Sequence, residues 1–194
     1  ERTSDDALTV IGIQGGYYNK PEKYFDLGWA FIPYYYDEGE FLMPSQETIE
    51  NELAFYVDDN LKFCISELAY DEFSINFKES KTSSQIDENE VSFKTKLNLN
   101  FKKAELSSDF DITHPVKIES ALSDIFDTAS YITESHKEDK DMICISCVAD
   151  MAAEKNLYVD MLDFGESTTL VVISENYTSS EPYVFEFLNR YSER

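Results

Sequence analysis

Two cysteines three residues apart, Cys144 and Cys147, form the one motif in the chain whose residue types could carry out chemistry. On a helix, positions i and i+3 share a face, so the two sulfurs could form a disulfide or supply half of a zinc site. Thiol redox chemistry is a third use, but that motif places its cysteines at a helix start that follows a strand. Here Asp139 and Asp141 stand just ahead, and negative charge raises the pKa of a thiol. The pattern favours a structural disulfide or buried thiols over metal binding or redox catalysis.

A complete zinc site would need two further ligands, and the chain offers few. Cys64, His114, His136 and the acids are the available donors. Cys64 falls on the apolar face of a predicted long helix, so we expect it in the core. The two histidines belong to different predicted elements, and neither is expected to be catalytic. The preferred interpretation therefore includes no metal and no cofactor.

Signatures of common enzyme classes are missing from the sequence. It contains no G-x-S-x-G, no H-E-x-x-H, no P-loop and no G-x-G-x-x-G. Close acid pairs such as Asp109/Asp111 and Glu38/Glu40 could bind Ca²⁺ or act as acid and base, but near pairs arise by chance among 39 acidic residues. We therefore predict a protein that is not an enzyme, with a hydrolase using an unidentified carboxylate site as an alternative.

An aromatic segment over residues 29–36 is the other candidate for binding. Trp29, Tyr34, Tyr35 and Tyr36 would offer a flat surface to a sugar or to a peptide partner. The alternative interpretation is that the segment is an edge strand whose rings pack in the core. A ligand- or peptide-binding module that uses this segment is the second functional hypothesis.

The charge of the chain excludes several kinds of partner. It has 39 acidic and 16 basic side chains, a net charge of −23, and the acids are spread over both halves. Nucleic-acid binding depends on clustered Lys and Arg, and anionic lipid attracts the same residues, so neither partner is expected. The surplus is typical of adaptation to high salt, or of a protein kept soluble by its charge.

The sequence also bears on the compartment. No run of about 18 apolar residues is present, so the chain as given does not span a membrane. It begins at Glu1 rather than Met, so we expect any anchor or targeting segment to lie upstream. An odd number of cysteines leaves one thiol unpaired, unless Cys64 pairs outside the chain. Asn176 begins the only N-glycosylation sequon, which weakly supports an external location.

Hydrophobic periodicity predicts an α+β fold in one domain over residues 1–194. Period-two alternation from Val91 to Phe101 predicts a half-buried antiparallel strand. We expect an antiparallel sheet of about five to seven strands with three helices packed on it, besides a short helix near the N-terminus. The three helices are predicted over about 46–67, 118–136 and 141–155. The strands are predicted over 29–36, 73–77, 91–102, 110–112, 157–162, 168–173 and 183–188, with a polar loop over 81–90.

Several blocks of sequence together resemble an uncharacterised family of membrane-anchored proteins of small-genome archaea. The blocks are Ile13–Tyr18, Pro33–Glu40, Pro44-Ser45, Ile49–Leu53, Cys144–Cys147 and Pro182–Phe185. The resemblance implies an external domain that follows one N-terminal hydrophobic helix with a pilin-like start. It brings no established activity and no catalytic residues.

The leading functional hypothesis combines these points. We expect a non-enzymatic cell-surface protein, anchored through a helix outside this chain, that acts in surface assembly or cell contact. Its partner would be a protein or further copies of itself.

Overall fold

The computed structural model describes residues 1–66, 73–103, 105–138, 143–175 and 183–191. These residues form an α+β fold with four helices and nine strands. The helices are α1 (Arg2–Ile13), α2 (Gln46–Ser66), α3 (Leu122–Glu138) and α4 (Ile145–Glu154). The strands are β1 (Tyr24–Asp26), β2 (Phe31–Asp37), β3 (Glu40–Phe41), β4 (Ser74–Ile86), β5 (Glu90–Lys103), β6 (Leu106–Glu119), β7 (Leu157–Gly165), β8 (Thr168–Glu175) and β9 (Val184–Arg190).

The strands form two sheets instead of the single sheet that the sequence predicts. The larger sheet has the order β1-β2-β9-β8-β7, with β3 also paired to β2, and the smaller sheet has the order β4-β5-β6. The larger sheet is mixed, because β2 and β9 run parallel while its other pairs are antiparallel. The expectation of one antiparallel sheet with three helices packed on it is therefore wrong in sheet number and strand direction, and a fourth helix, α1, packs in the fold in addition to the other three.

The aromatic strand β2 lies inside the larger sheet and is not an edge strand. It has β1 and β3 on one side and β9 on the other. Tyr34 of β2 aligns with Leu188 of β9, more than 150 residues later in the chain. The residues of β2 alone give no information about pairing with a strand so distant in sequence. The prediction that residues 29–36 form an edge strand is therefore wrong.

The helices are distributed over both sheets. α2 packs along β4 of the smaller sheet, whereas α1 contacts both α2 and β9 and so joins the two layers. A close approach of α1 to β9 requires Gly12, because a Cβ there would lie 2.3 Å from the Val184 carbonyl oxygen. α3 contacts β2, β8 and β9, and α4 contacts β7.

The core of the larger sheet contains three aromatic rings. Tyr35 is fully buried, stacks on Phe187 with ring centroids 4.3 Å apart, and also contacts Phe185. Its hydroxyl donates a hydrogen bond to the Gly15 carbonyl oxygen at 3.0 Å, so the buried polar atom is satisfied.

In the described residues, no helix is both long enough and apolar enough to cross a bilayer.

Candidate functional site

The CxxC motif lies at the start of α4 and not inside a helix that begins near residue 141. Cys144 is the N-cap, and its Sγ accepts a hydrogen bond from the Cys147 backbone N–H at 3.2 Å. A disulfide joins the two residues, and both are exposed. The first turn of α4 carries no acidic residue. The disulfide therefore lies at the positive end of the helix dipole with no acidic residue in that turn, and Asp139 and Asp141, the acids that precede it in sequence, lie outside the described residues.

A groove runs along the same helix. It has a volume of about 590 Å³ and lies between α4 and β7. Its lining is mostly apolar and consists of Ile145, Val148, Ala149, Ala152, Ala153, Asn156, Leu157, Tyr158, Val159 and Met161. Ile145, the residue next to Cys144, lines one end of the groove and is 64% exposed.

The groove follows the open edge of the larger sheet. β7 is the last strand of that sheet and pairs only with β8 within the described part of the chain. The consecutive residues Leu157, Tyr158 and Val159, whose side chains alternate between the two faces of the sheet, all line the groove, and no residue of β8 does. The groove therefore lies along the free edge of β7. In an antiparallel pair, alternate residues of an edge strand direct their N–H and C=O groups away from the partner. The site thus combines backbone donors and acceptors with an apolar depression.

A short connection fixes α4 against β7. Asn156 has a φ of 54°, which turns the chain from the helix into the strand within two residues. The Lys155 ammonium contacts the Asp124 carboxylate, and it lies 3.2 Å from the Asp127 carboxylate on α3. Partial burial lowers the pKa of Lys155, but the two carboxylates outweigh this effect and raise it. Lys155 is therefore a paired cation that ties α4 to α3.

The charges that remain beside the open edge are negative. Asp160 and Asp163 lie on β7, and both are exposed. The Asp163 carboxylate accepts the Gly165 N–H at 2.9 Å, whereas the described residues provide no hydrogen bond or cation for Asp160. A ligand along β7 would thus meet apolar groups on one side and a carboxylate on the other.

The structure separates the four residues of the predicted aromatic platform. Trp29 is 79% exposed in the turn before β2, whereas Tyr35 is in the core and is inaccessible to a ligand. Tyr34 lies under the Arg190 guanidinium at 4.9 Å, and Tyr36 packs beside Tyr191. Among the four, only Trp29 presents a largely exposed ring.

The remaining residues singled out in the sequence, among them Cys64, form no binding or metal site within the described residues. Cys64 is exposed, which contradicts its expected place in the core, because at this end of α2 the neighbouring residue Ile65 takes the buried position. Its Sγ lies 3.3 Å from the Thr3 hydroxyl. Within the described ranges, no three His, Cys, Asp or Glu side chains form a group that could hold a metal ion. Asn176 and the side chain of His136 lie outside the described residues.

The acidic residues of the pair Asp109/Asp111 form an ion pair and a hydrogen bond at the surface. Asp109 is bonded to Lys78 at 2.7 Å, and Asp111 accepts a hydrogen bond from Asn98. A raised carboxyl pKa is found at Glu186, where burial is the only cause. A second carboxylate does not contribute to that shift, so Glu186 is not coupled to a neighbouring acid.

Sequence reasoning missed the groove itself. The alternation of Leu157, Val159 and Met161 with polar residues was a visible signal for a half-buried strand. What the pattern did not contain was the position of that strand at the edge of the sheet, because strand order depends on pairing between distant segments.

Comparisons with protein-family models, with curated proteins and with solved structures find no match to this chain.

Proposed function

We propose that this chain is a surface protein that acts by binding another polypeptide, which adds as an extra strand along β7. One observation carries the proposal: an open sheet edge lies directly beside an apolar groove. Strand addition draws its affinity from main-chain hydrogen bonds and its specificity from pockets for alternate side chains. The open edge of β7 and the groove under α4 would supply these two parts.

The alternation of β7 defines the side chains that a partner would need. Its residues Leu157, Val159 and Met161 line the groove together with Tyr158, and Asp160 is exposed. Successive side chains of an added strand point to opposite faces of the sheet. One set would therefore enter the groove, and the other set would lie on the face that carries Asp160.

Charge complementarity selects the partner. Opposite charges on neighbouring strands stabilise pairing, and like charges destabilise it. A segment in which apolar residues alternate with Lys or Arg would fill the groove and pair with Asp160. The net charge of −23 would also speed the approach of such a segment at low ionic strength.

A place at the cell surface fits this activity. The sequence resembles an anchored external domain, and the Cys144–Cys147 disulfide suits an oxidising compartment. Surface assembly and cell contact both need a site that holds another polypeptide. Protease treatment of intact source cells tests the location: removal of the protein is expected, and full protection of protein found only in the cytosolic fraction would contradict it.

The binding test uses synthetic peptides and two matched variants. A fluorescent nine-residue peptide of alternating Val and Lys is titrated with the protein, next to a peptide of alternating Val and Glu. We expect the lysine peptide to bind at least about tenfold more tightly. Ala149→Trp fills the groove from an exposed position and should abolish binding, whereas Asp150→Trp changes the neighbouring exposed residue outside the groove and should retain it.

The outcomes separate the alternatives. Equal binding to both variants would show that the groove is not used and would overturn the proposal. Equal binding of the lysine peptide and the glutamate peptide would show that charge complementarity does not select the partner. Circular dichroism of each variant establishes that the fold is intact.

A second candidate is ligand binding at Trp29, which the exposure of its ring favours. Phe25 and Phe164 form an edge-to-face contact at 5.0 Å and are also partly exposed. Trp29 is the only tryptophan in the chain, so its fluorescence reports on this surface alone. A shift of its emission with added ligand, lost in Trp29→Ala, would support this candidate. Unchanged emission during peptide binding would favour the groove.

A further inference from the structure

The disulfide at the start of α4 and the groove beside it point to chemistry beyond binding. We propose that Cys144–Cys147 is a redox-active disulfide that accepts two electrons from a polypeptide partner carrying a pair of thiols. Docking of that partner in the α4–β7 groove rests on the proposed function. Thiol–disulfide exchange at the cysteines does not depend on it.

The position of Cys144 favours its release as a thiolate. The Cys147 backbone N–H already donates to the Cys144 Sγ at 3.2 Å, and a charged sulfur would accept this hydrogen bond more strongly. The Ser146 hydroxyl oxygen lies 3.5 Å from the same sulfur. The positive end of the helix dipole also stabilises an anion at this position. A thiol whose thiolate is stabilised leaves a disulfide faster.

Access to the sulfurs is the second requirement for exchange. Cys144 and Cys147 are both exposed, so an external thiolate could reach either sulfur. Ile145 lies between them in sequence and lines the end of the groove. A strand bound along the groove would therefore bring its own cysteines towards the disulfide.

The reaction proceeds in two exchanges. A partner thiolate attacks the Cys147 Sγ, the S–S bond breaks, and Cys144 leaves as a thiolate. A second partner thiolate then attacks the partner sulfur of the mixed disulfide, which forms a partner disulfide and releases the Cys147 thiolate. Two electrons pass from the partner to the chain, and the two partner protons go to solvent or to the new thiolates.

A single-turnover experiment tests the proposal without any added oxidant. The protein carries Cys64→Ser, which removes the exposed free thiol, and it is mixed with a reduced peptide of alternating Val and Lys that contains two cysteines. Alkylation and mass measurement then follow the thiols of both molecules. We expect one peptide disulfide and two protein thiols per chain. The peptide disulfide should form at least about tenfold faster than in a control in which oxidised glutathione replaces the protein at equal concentration. Absence of electron transfer from the peptide to the protein would overturn the redox role, whereas transfer at the same rate as with glutathione would overturn docking of the peptide beside the disulfide.

Equilibrium with glutathione gives a second readout that needs no peptide. A structural disulfide resists reduction by the glutathione pool, whereas a redox-active one exchanges with it. We expect mixtures of reduced and oxidised glutathione to produce partial reduction of Cys144–Cys147. A disulfide that stays fully oxidised in excess reduced glutathione would contradict the proposal.

The Ala149→Trp variant distinguishes failure of this proposal from failure of the docking site. A slower peptide reaction with unchanged glutathione equilibrium would support docking in the groove. An equally fast peptide reaction would leave the redox role intact and would overturn the groove as its docking site. Peptide binding without peptide oxidation would overturn the redox role and leave the groove.

Discussion

Asp37 is a buried carboxylate that forms ion pairs with two cationic side chains, those of Arg190 and Lys23. Its side chain is 4% exposed, and it lies 2.7 Å from the Arg190 Nε and 2.8 Å from the Lys23 ammonium. Burial would raise the pKa of Asp37, but the hydrogen bonds from Arg190 and Lys23 outweigh burial and lower it. The carboxylate is thus held ionised where β2, β9 and the segment before β1 meet.

Asp37→Asn should destabilise the protein by about 2 kcal/mol, because the substitution leaves Arg190 without its charged partner. A group whose folded pKa is lowered stabilises the fold at pH values above its unfolded pKa of about 4. That contribution is lost as the pH falls through the folded pKa. The difference between wild type and variant should therefore be full at pH 7 and should shrink below about pH 4.

Chemical denaturation at several pH values measures this difference. Asp26→Asn is the control, because Asp26 forms an ion pair with Lys20 in which both side chains are about half exposed. It should have a much smaller effect. An equal loss from both substitutions would mean that the burial of Asp37 is not the cause.

Among the elements, α2 is held against β4 by two of its carboxylates, which accept hydrogen bonds from backbone N–H groups of the strand. Asp58 of α2 accepts hydrogen bonds from the Thr82 N–H at 3.0 Å and from the Thr82 hydroxyl at 2.7 Å. Glu50, two turns earlier, accepts the Ile86 N–H at 2.9 Å. These contacts fix the position of the helix along the smaller sheet.

Thr82→Val should destabilise the fold by about 1–2 kcal/mol, because it keeps the shape of the side chain and removes the hydroxyl donor to Asp58. The hydroxyl also lies 3.0 Å from that of Thr95 on β5, so the substitution breaks a short network. Thermal unfolding compares it with Ser83→Ala, a change at the next residue on the exposed face. Similar losses for the two variants would contradict the bridging role of Thr82.

The elements that could be predicted from the sequence are those with a strong local period. α2 was expected over about 46–67 and spans Gln46–Ser66, and the alternation from Val91 to Phe101 identified β5. Residues 81–86 were predicted as a loop, because only Ile86 among them is apolar. They belong to β4, since pairing with β5 supplies the stabilisation that their composition does not.

The start of α3 illustrates the same limit. The helix was expected from about residue 118, because Ile118 fits the apolar stripe that continues through Leu122. In the structure Ile118 pairs with Val91 of β5, and the helix begins at Leu122. An isolated apolar residue fits both a strand and a helix, so tertiary pairing decides between them.

For the molecule as a whole, the division of the strands into two sheets could not be predicted from the sequence. The smaller sheet consists of consecutive strands, but the larger one combines strands from both ends of the chain. Period-two alternation indicates which residues of a strand face a core, but it does not indicate which sheet the strand joins or which strands lie beside it. The groove at β7 was unpredictable for the same reason, whereas the cysteines at its end were visible as a motif.

The net charge of −23 leads to a prediction for the molecule as a whole. Self-repulsion among the acids opposes the compact state, and its range falls from about 30 Å at 0.01 M salt to about 3 Å at 1 M. The free energy of unfolding should therefore rise with NaCl over this range. A gain of about 1 kcal/mol would raise Tm by about 2–4 °C for a chain of this length.

A variant with fewer charges is the matched control for this prediction. Glu88→Gln, Asp150→Asn and Glu154→Gln remove three exposed carboxylates for which the described residues show no ion pair. The variant should be more stable than wild type in low salt and should gain less from added NaCl, because there is less repulsion to screen. Stability that falls with salt in both proteins would mean that ion pairs such as those of Asp37 and Lys155 outweigh the repulsion. Surplus charge would then contribute to solubility and to the attraction of basic partners, but would not limit folding.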